Sequence, residues 1–227
     1  MRAPGFWYAP RPNLLARLLG TGISEAMYLL DQLHVSLSQP GDVCELGVAQ
    51  GATSALIANE IRETTKSLWL YDTFAGLPKP SPKDQLKDDI FGLGSMERYE
   101  GQMRCEADEV QARLAAIQFP PSRVHLEAGL VEQTLIPERG PSPVCFAYID
   151  FDFYAPILHA LTYLHTHLAP GGRIVVDDYD FFSTGAKTAV DEFVQQHAGE
   201  YRLTLPRPFA GHFCMLERAK RGLSRWF

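Results

Sequence analysis

From residue 42 onward the chain alternates between two hydrophobic periods. Short runs rich in β-branched and aromatic residues, at 42–46, 68–72, 123–127, 144–150 and 173–177, read as strands. Between them, apolar positions recur at helical spacing over 52–63, 107–117, 155–168 and 186–197. Strand and helix in succession predict a parallel sheet with crossover helices on its faces. Pro170-Gly171-Gly172 is expected to stop the third of these helices and release the chain into the next strand. Two more strands, at 201–205 and 212–217, are joined by too few residues for a parallel crossover, so they should form an antiparallel hairpin at the sheet edge. The expected fold is α/β: a Rossmann-like, mostly parallel sheet of seven strands with an antiparallel C-terminal hairpin strand, helices on both faces, and a helical N-terminal preface.

Two stretches stand outside that rhythm. In residues 1–40, Leu14, Leu15, Leu18 and Leu19, then Ile23, Met27, Leu30, Leu33 and Leu37, fall at near-helical spacing. They read as a preface that covers the core, or as a lid or dimer contact that leaves room for a homo-oligomer. The irregular segment 76–101, the body of an insertion over 76–106, is rich in Pro, Asp and Lys and too long for an ordinary connection. It is expected to be either disordered or a lid. The main domain is placed at 41–218, followed by a basic tail at 219–227.

Charge narrows the partners. There are 21 Lys and Arg against 27 Asp and Glu, a net charge of −6. No basic stripe is available to hold a phosphate backbone, so a nucleic-acid partner is not expected. The longest apolar runs, such as 144–149, are strand-sized and far short of the roughly 20 residues of a spanning helix. The segment MRAPGFWYAPRP has no apolar run of signal-peptide length, so the expectation is a cytoplasmic protein with no membrane partner. Cys44, Cys105, Cys145 and Cys214 are widely separated and lack zinc-site spacing, which suits small buried hydrophobes in a reducing compartment.

Each of the first five strands ends at or beside an acid, and ligands of open α/β sheets bind at the carboxyl ends of the strands. Glu45, Gly47 and Gly51 sit where the first strand turns into a helix, and Asp72 ends the second strand, where such folds place an acid that grips ribose hydroxyls. The spacing is not G-x-G-x-x-G, and Glu45 would repel a phosphate; no Walker A loop follows either. Acids without a phosphate cradle point to S-adenosylmethionine (SAM), which has a ribose and a cationic tail. Asp150, Asp152, Asp177 and Asp178 end the fourth and fifth strands. Alternation along an extended segment would put Asp150 and Asp152 on one side, beside the other two. Carboxylates converging in so apolar a context (AYIDFDFY, IVVDDYD) call for a hard divalent ion such as Mg²⁺, Mn²⁺ or Ca²⁺.

Several motifs in order, ELGVAQGATS, YDTFAGLP from Tyr71, AGLVEQTL from Ala128, YIDFDFY from Tyr148, APGGRIVVDDY from Ala169 and GAKTAVDEF from Gly185, carry a resemblance. From about residue 41 to 217 the chain resembles the macrocin O-methyltransferase (TylF-like) family of SAM- and metal-dependent enzymes that methylate sugar hydroxyls of natural products. The resemblance implies a class I methyltransferase sheet, and Asp150, Asp177 and Asp178 as ligands of Mg²⁺ or Mn²⁺. It makes Asp152 the base that deprotonates the acceptor hydroxyl. Glu45, Gly47, Gly51, Thr53, Asp72 and Asp150 would belong to the SAM site, with Glu127 and Gly129 near the adenine. The partner implied is a small hydroxylated acceptor.

Other readings stay open at this level. The aspartates serve a catechol or phenol O-methyltransferase equally well. Asp150-x-Asp152 alone also fits a metal-dependent glycosyltransferase, and a non-enzymatic metal-binding domain would use the same acids. Among lesser candidates, His165, His167, His125 and His212 read as packing or surface residues, and Lys187 with Asp191 as an ordinary ion pair. Tyr179, Phe181 and Phe182 either wall the acceptor pocket or simply pack.

Overall fold

A computed structural model describes residues 10–219. The first nine residues and all but the first residue of the expected tail lie outside the described residues, so the expectations placed on them are not addressed. Seven strands form one sheet: β1 (Asp42–Leu46), β2 (Leu68–Asp72), β3 (Val124–Ala128), β4 (Val144–Ile149), β5 (Leu168–Val176), β6 (Tyr201–Thr204) and β7 (Cys214–Arg218). Their order is β3-β2-β1-β4-β5-β7-β6, and every pairing is parallel except those of β7, which runs antiparallel to both β5 and β6. The returning strand of the hairpin therefore slots inside, between β5 and the edge strand β6.

The helices are α1 (Arg11–Leu15), α2 (Ile23–Ser36), α3 (Ala52–Ile61), α4 (Ala107–Ala116), α5 (Val131–Thr134), α6 (Tyr154–His167) and α7 (Thr184–Gln196). They cover both faces, and the strands show it: all six residues of β4 are buried. Alternation sorts the strand side chains between two cores. Cys44, Ala147, Ile149, Ile174 and Val176 pack with α6 and α7, while Val43, Phe146, Tyr148 and Val175 pack with α2 and α3. The preface is the helical cover on that second face, with Ala26, Leu29, Leu30 and Leu33 fully buried. Below it Arg11 and Glu60 form a buried ion pair, which ties α1 to α3, and His34 joins it at 2.9 Å.

The Pro-Gly-Gly expectation needs correcting. α6 ends at His167 and β5 starts at once at Leu168, so Pro170-Gly171-Gly172 lies inside the strand segment. Leu168 pairs with Val144 and Arg173 with Phe146, so the intervening residues form an irregularity in the ladder. The strand resumes after the glycines where expected, but the helix stops earlier, where Leu168 turns extended. All four cysteines are free and buried. Among the described residues no helix is long and apolar enough to cross a membrane.

Candidate active site

Strand order reverses between β1 and β4, the point at which neighbouring loops diverge and leave a crevice. A cavity of about 490 Å³ opens there, over the carboxyl ends of β1, β2, β4 and β5. Gly47, Asp72, Asp150, Asp152, Asp177 and Asp178 all line it. Gly47 has φ 95°, and a Cβ built on it would fall 1.9 Å from the Asp150 carbonyl oxygen. Only glycine lets the ends of β1 and β4 meet so closely. Gly51, the left-handed N-cap of α3, does not line the cavity; a Cβ there would press on Val110 of α4 at 3.0 Å.

Asp72 is already engaged. Its Oδ2 accepts the Val48 and Ala49 amides at 2.7 and 2.9 Å, and its Oδ1 accepts Phe74 N–H at 2.7 Å. It braces the glycine turn while facing the cavity. Glu45 lies fully buried beneath the turn. The Thr53 hydroxyl donates to its Oε1, its Oε2 has no partner among the described residues, and burial pushes the carboxyl up to about 7. Thr53 itself lines the cavity, whereas Glu45, Glu127 and Gly129 do not. Gly129 N–H donates to the Asp72 carbonyl at 2.9 Å, so the exit of β3 is pinned beside that of β2.

The four strand-end aspartates do come to one cavity, but not by strand alternation. β4 stops at Ile149, and Asp152 sits in the left-handed region at φ 62°, as do Asp178 at 52° and Asp180 at 65°. A short polar side chain makes that conformation tolerable, and each such residue costs about 1–3 kcal/mol that the surrounding structure must offset. The acids form two pairs. Tyr148, two residues before Asp150 and on its face of the strand, donates to Asp177 Oδ2 at 2.5 Å and lies 3.2 Å from Asp150 Oδ2. Asp178 N–H donates to Asp177 Oδ1 at 2.8 Å, and the Asp152 and Asp178 carboxyls lie close enough to perturb each other. Burial first, then the mutual repulsion of the acids, holds Asp150, Asp152 and Asp178 above the usual carboxylate range. Glu25 of α2 adds to that repulsion at Asp177 and Asp178.

This donor set suits a hard divalent ion: carboxylates, of which Asp152 is buried and the rest half-buried, with no Lys, Arg or His among the described residues that line the cavity. Its oxygens stand as pairs rather than as a closed cage. Among the described residues, one group of three ligand-type side chains has all its ligand atoms within 4.8 Å: His165, His197 and Glu200. It lies at the far end of α6, and there the His165 and His197 rings stack at 3.8 Å, so their nitrogens run side by side instead of converging. His167 stacks on Tyr163, His125 on Trp69, and His212, just outside β7, on Phe181. Lys187 and Asp191 form the expected ion pair.

The insertion is a folded segment over the site. Met96 and Tyr99 pack with Phe153 and Phe182 in a small core of their own. The aromatic trio therefore divides: Phe181 lines the cavity, Phe182 is core, and Tyr179 donates to Asp191 at 2.7 Å. Asp84, buried in the insertion, accepts Tyr154 N–H at 2.7 Å on Oδ1 and the Ser81 N–H and hydroxyl at 2.7 and 2.6 Å on Oδ2. It thereby caps α6 immediately after the Asp152 turn. Sequence reasoning missed Tyr148, Asp84 and Glu25. The two-residue spacing to Asp150 could have marked Tyr148; no local signal marks the other two.

A family model described as Macrocin-O-methyltransferase (TylF) matches residues 29–204, from within α2 to the end of β6. That match starts earlier than the motifs quoted above and stops before β7. Among curated proteins, the chain is 26% identical over 216 residues to the 8-demethyl-8-(2,3-dimethoxy-alpha-L-rhamnosyl)-tetracenomycin-C 4'-O-methyltransferase of Streptomyces olivaceus, covering 88% of this chain and 79% of the relative. It is 29% identical over 170 residues to the mycinamicin III 3''-O-methyltransferase of Micromonospora griseorubida, covering 70% of this chain and 62% of that one. The solved structure of the O-methyltransferase NovP superposes with a TM-score of 0.73 at 21% identity, over 88% of this chain and 81% of that chain.

Proposed function

Because the chain belongs to the macrocin-O-methyltransferase (TylF) family and is a SAM-dependent O-methyltransferase, we propose that its acceptor is a hydroxyl on a sugar moiety of a natural product. In this reading a divalent metal, Mg²⁺ or Mn²⁺, is held by Asp150, Asp177 and Asp178. The observation that carries it is the set of carboxylates gathered at the switch point, which no basic side chain lining the cavity among the described residues neutralises. The curated relatives' names supply the sugar acceptor.

SAM, when bound, supplies an electrophilic methyl group, so the chain's own task is to hold the acceptor oxygen in line with it and to take a proton. Gly47, Thr53 and Asp72 would meet the cofactor from the β1 and β2 ends, with the unpartnered Glu45 oxygen beneath them. A divalent cation, when bound, supplies electrostatic stabilisation for an alkoxide developing from a hydroxyl with a pKa near that of water, about 15.7. Asp152 is the base. The burial that raises its pKa makes it a better proton acceptor than an exposed carboxylate. Residues 76–106 of a catalytic domain spanning 41–218 cover the acceptor, together with Leu19, Gly20 and Thr21 of the preface.

The test is calorimetric titration with Mg²⁺ alongside single-turnover assays. Asp177→Asn or Asp178→Asn should lose metal binding and activity together, while Asp152→Asn keeps the metal and loses roughly 10²–10⁴-fold in turnover. Full activity in excess EDTA would remove the metal from the account.

A further inference from the structure

We propose that Ser183 is a positioning residue for the methyl transfer: its hydroxyl fixes the peptide of Asp152 in the left-handed turn that presents the carboxyl to the cavity. This rests on the reading of Asp152 as the base, and adds to it a side chain that does not itself line the cavity.

The Asp152 turn has little support of its own. At φ 62° Asp152 occupies a conformation that a residue with a side chain holds only under constraint. It stands past the end of β4, and the last main-chain anchor before it is Asp150 N–H on the Leu46 carbonyl at 2.7 Å. Among the described residues the Asp152 carbonyl has one hydrogen-bond partner, the Ser183 hydroxyl at 2.7 Å. Losing that bond would leave a buried acceptor bare, and the peptide would turn to find another donor. A φ that crosses to negative values swings Cβ, and with it the carboxyl, away from its place in the cavity wall.

Capping alone does not account for Ser183. It is the N-cap of α7, and its oxygen accepts Gly185 N–H at 3.0 Å. A cap uses only the acceptor and leaves the hydroxyl proton free. Ser183 is fully buried, and its proton goes to Asp152, 31 positions back along the sequence. The insertion holds the serine from its other side. Leu86 bridges it in antiparallel fashion, Thr184 N–H donates to the Gln85 carbonyl at 2.9 Å, and Lys87 N–H donates to the Phe182 carbonyl at 3.0 Å. A donor fixed on both flanks presents its O–H to Asp152 with little freedom to drift, which is what keeps a reacting group in its productive geometry.

The experiment compares Ser183→Ala and Ser183→Thr in the full chain. Crystal structures of both with S-adenosylhomocysteine read the Asp152 φ directly. Rates of methyl transfer from radiolabelled SAM to methyl α-L-rhamnopyranoside, over a range of that probe, read the consequence. Ser183→Ala should take Asp152 out of the left-handed region and lower kcat about 10²-fold, with acceptor KM and S-adenosylhomocysteine affinity unchanged. Ser183→Thr keeps the hydroxyl and should restore both the turn and the rate. In an Asp152→Asn background Ser183→Ala should slow transfer little further, because a residue that acts through another then has nothing left to act on. Should Ser183→Ala not fold, Ser183→Gly removes the same hydroxyl with a residue that helix N-termini accept, and the same outcomes apply. An Asp152 that stays left-handed without the hydroxyl overturns the proposal, even where the probe is a poor acceptor. A full Ser183→Ala penalty in the Asp152→Asn background overturns it too. Wild-type turnover by Asp152→Asn would instead strike the reading of Asp152 as base and leave the structural result standing.

Discussion

The floor of the cavity and its cover are held together by different means. The floor is main chain held at close quarters: Gly47 abuts the Asp150 carbonyl, and the Asp72 carboxylate fastens the Val48 and Ala49 amides at the end of the neighbouring strand. The cover is spanned by side chains reaching far along the sequence, the buried Asp84 to Tyr154 and the exposed Lys83 to Glu192. Parallel-sheet geometry leaves the floor almost no freedom, whereas the cover can shift without disturbing the sheet. Chemistry that needs in-line approach belongs on the floor, and acceptor choice belongs on the cover. Substitutions can break that division or sharpen it.

The largest effect should come from Gly47→Ala. A Cβ would sit 1.9 Å from a main-chain oxygen, at a φ of 95° that a side chain rarely adopts. Neither strand can retreat without giving up ladder bonds. Strain and overpacking together should cost about 3 kcal/mol or more, measured by urea unfolding, with S-adenosylhomocysteine binding lost in whatever folds. Wild-type affinity in this variant would mean that the floor is far softer than its contacts imply.

Asp84→Ala comes next and strikes the cover. Losing the caps on Tyr154 and Ser81 should cost about 1–3 kcal/mol and raise KM for the acceptor several-fold, with the affinity for S-adenosylhomocysteine unchanged. Gly185 sharpens this, because a Cβ there would lie 1.8 Å from Asp84 Oδ1. Gly185→Ala should therefore destabilise the native chain markedly and the Asp84→Ala chain less, though not negligibly because the Cβ would still lie 2.8 Å from Tyr154 N, a non-additivity that a double-mutant cycle reads directly. Strict additivity would show that the two do not share the contact.

The same division explains what the sequence discloses. β1 and β2 occur where the periodicity places them, and the acids at their ends are legible because loops between adjacent parallel strands are short and leave strand-end residues in the crevice. Asp152 was legible as a site residue, but its route there was not. Nothing in FDF announces a left-handed turn, which is stabilised by contacts such as the Ser183 hydroxyl donating to the Asp152 carbonyl at 2.7 Å. The insertion was legible only as irregular. Its order depends on Asp84 meeting Tyr154 across 70 positions of sequence and on Tyr99 meeting Phe182 across 83, and no local window contains that information. The Pro-Gly-Gly stop misled for a related reason: glycines that often end a helix here lie in a strand irregularity against β4.

Tyr148→Phe tests whether the floor's acids depend on side-chain support as well. The hydroxyl that it removes holds Asp177 at 2.5 Å and stands 3.2 Å from Asp150, so it fixes two of the proposed metal ligands relative to each other. Loss of such an outer partner is expected to weaken Mg²⁺ binding about tenfold in calorimetry, the low end for residues of this kind, with the acceptor KM unchanged. A change confined to the acceptor instead would move Tyr148 from the floor to the cover.

The smallest effect belongs to Lys83→Ala. Lys83 spans the same insertion-to-helix gap as Asp84, donating to the Tyr154 hydroxyl at 2.8 Å and to Glu192 at 2.7 Å. Both Lys83 and Glu192 are exposed, however, so solvent screens the pair and ordering two long side chains offsets most of what it gains. Thermal unfolding should not register the substitution, and acceptor KM should stay within error of wild type. Asp84 and Lys83 thus make a matched pair on one seam, one buried and one in water. If Lys83→Ala loosens the cover as much as Asp84→Ala does, burial is not what fastens the cover, and the contrast between floor and cover must be drawn on charge instead.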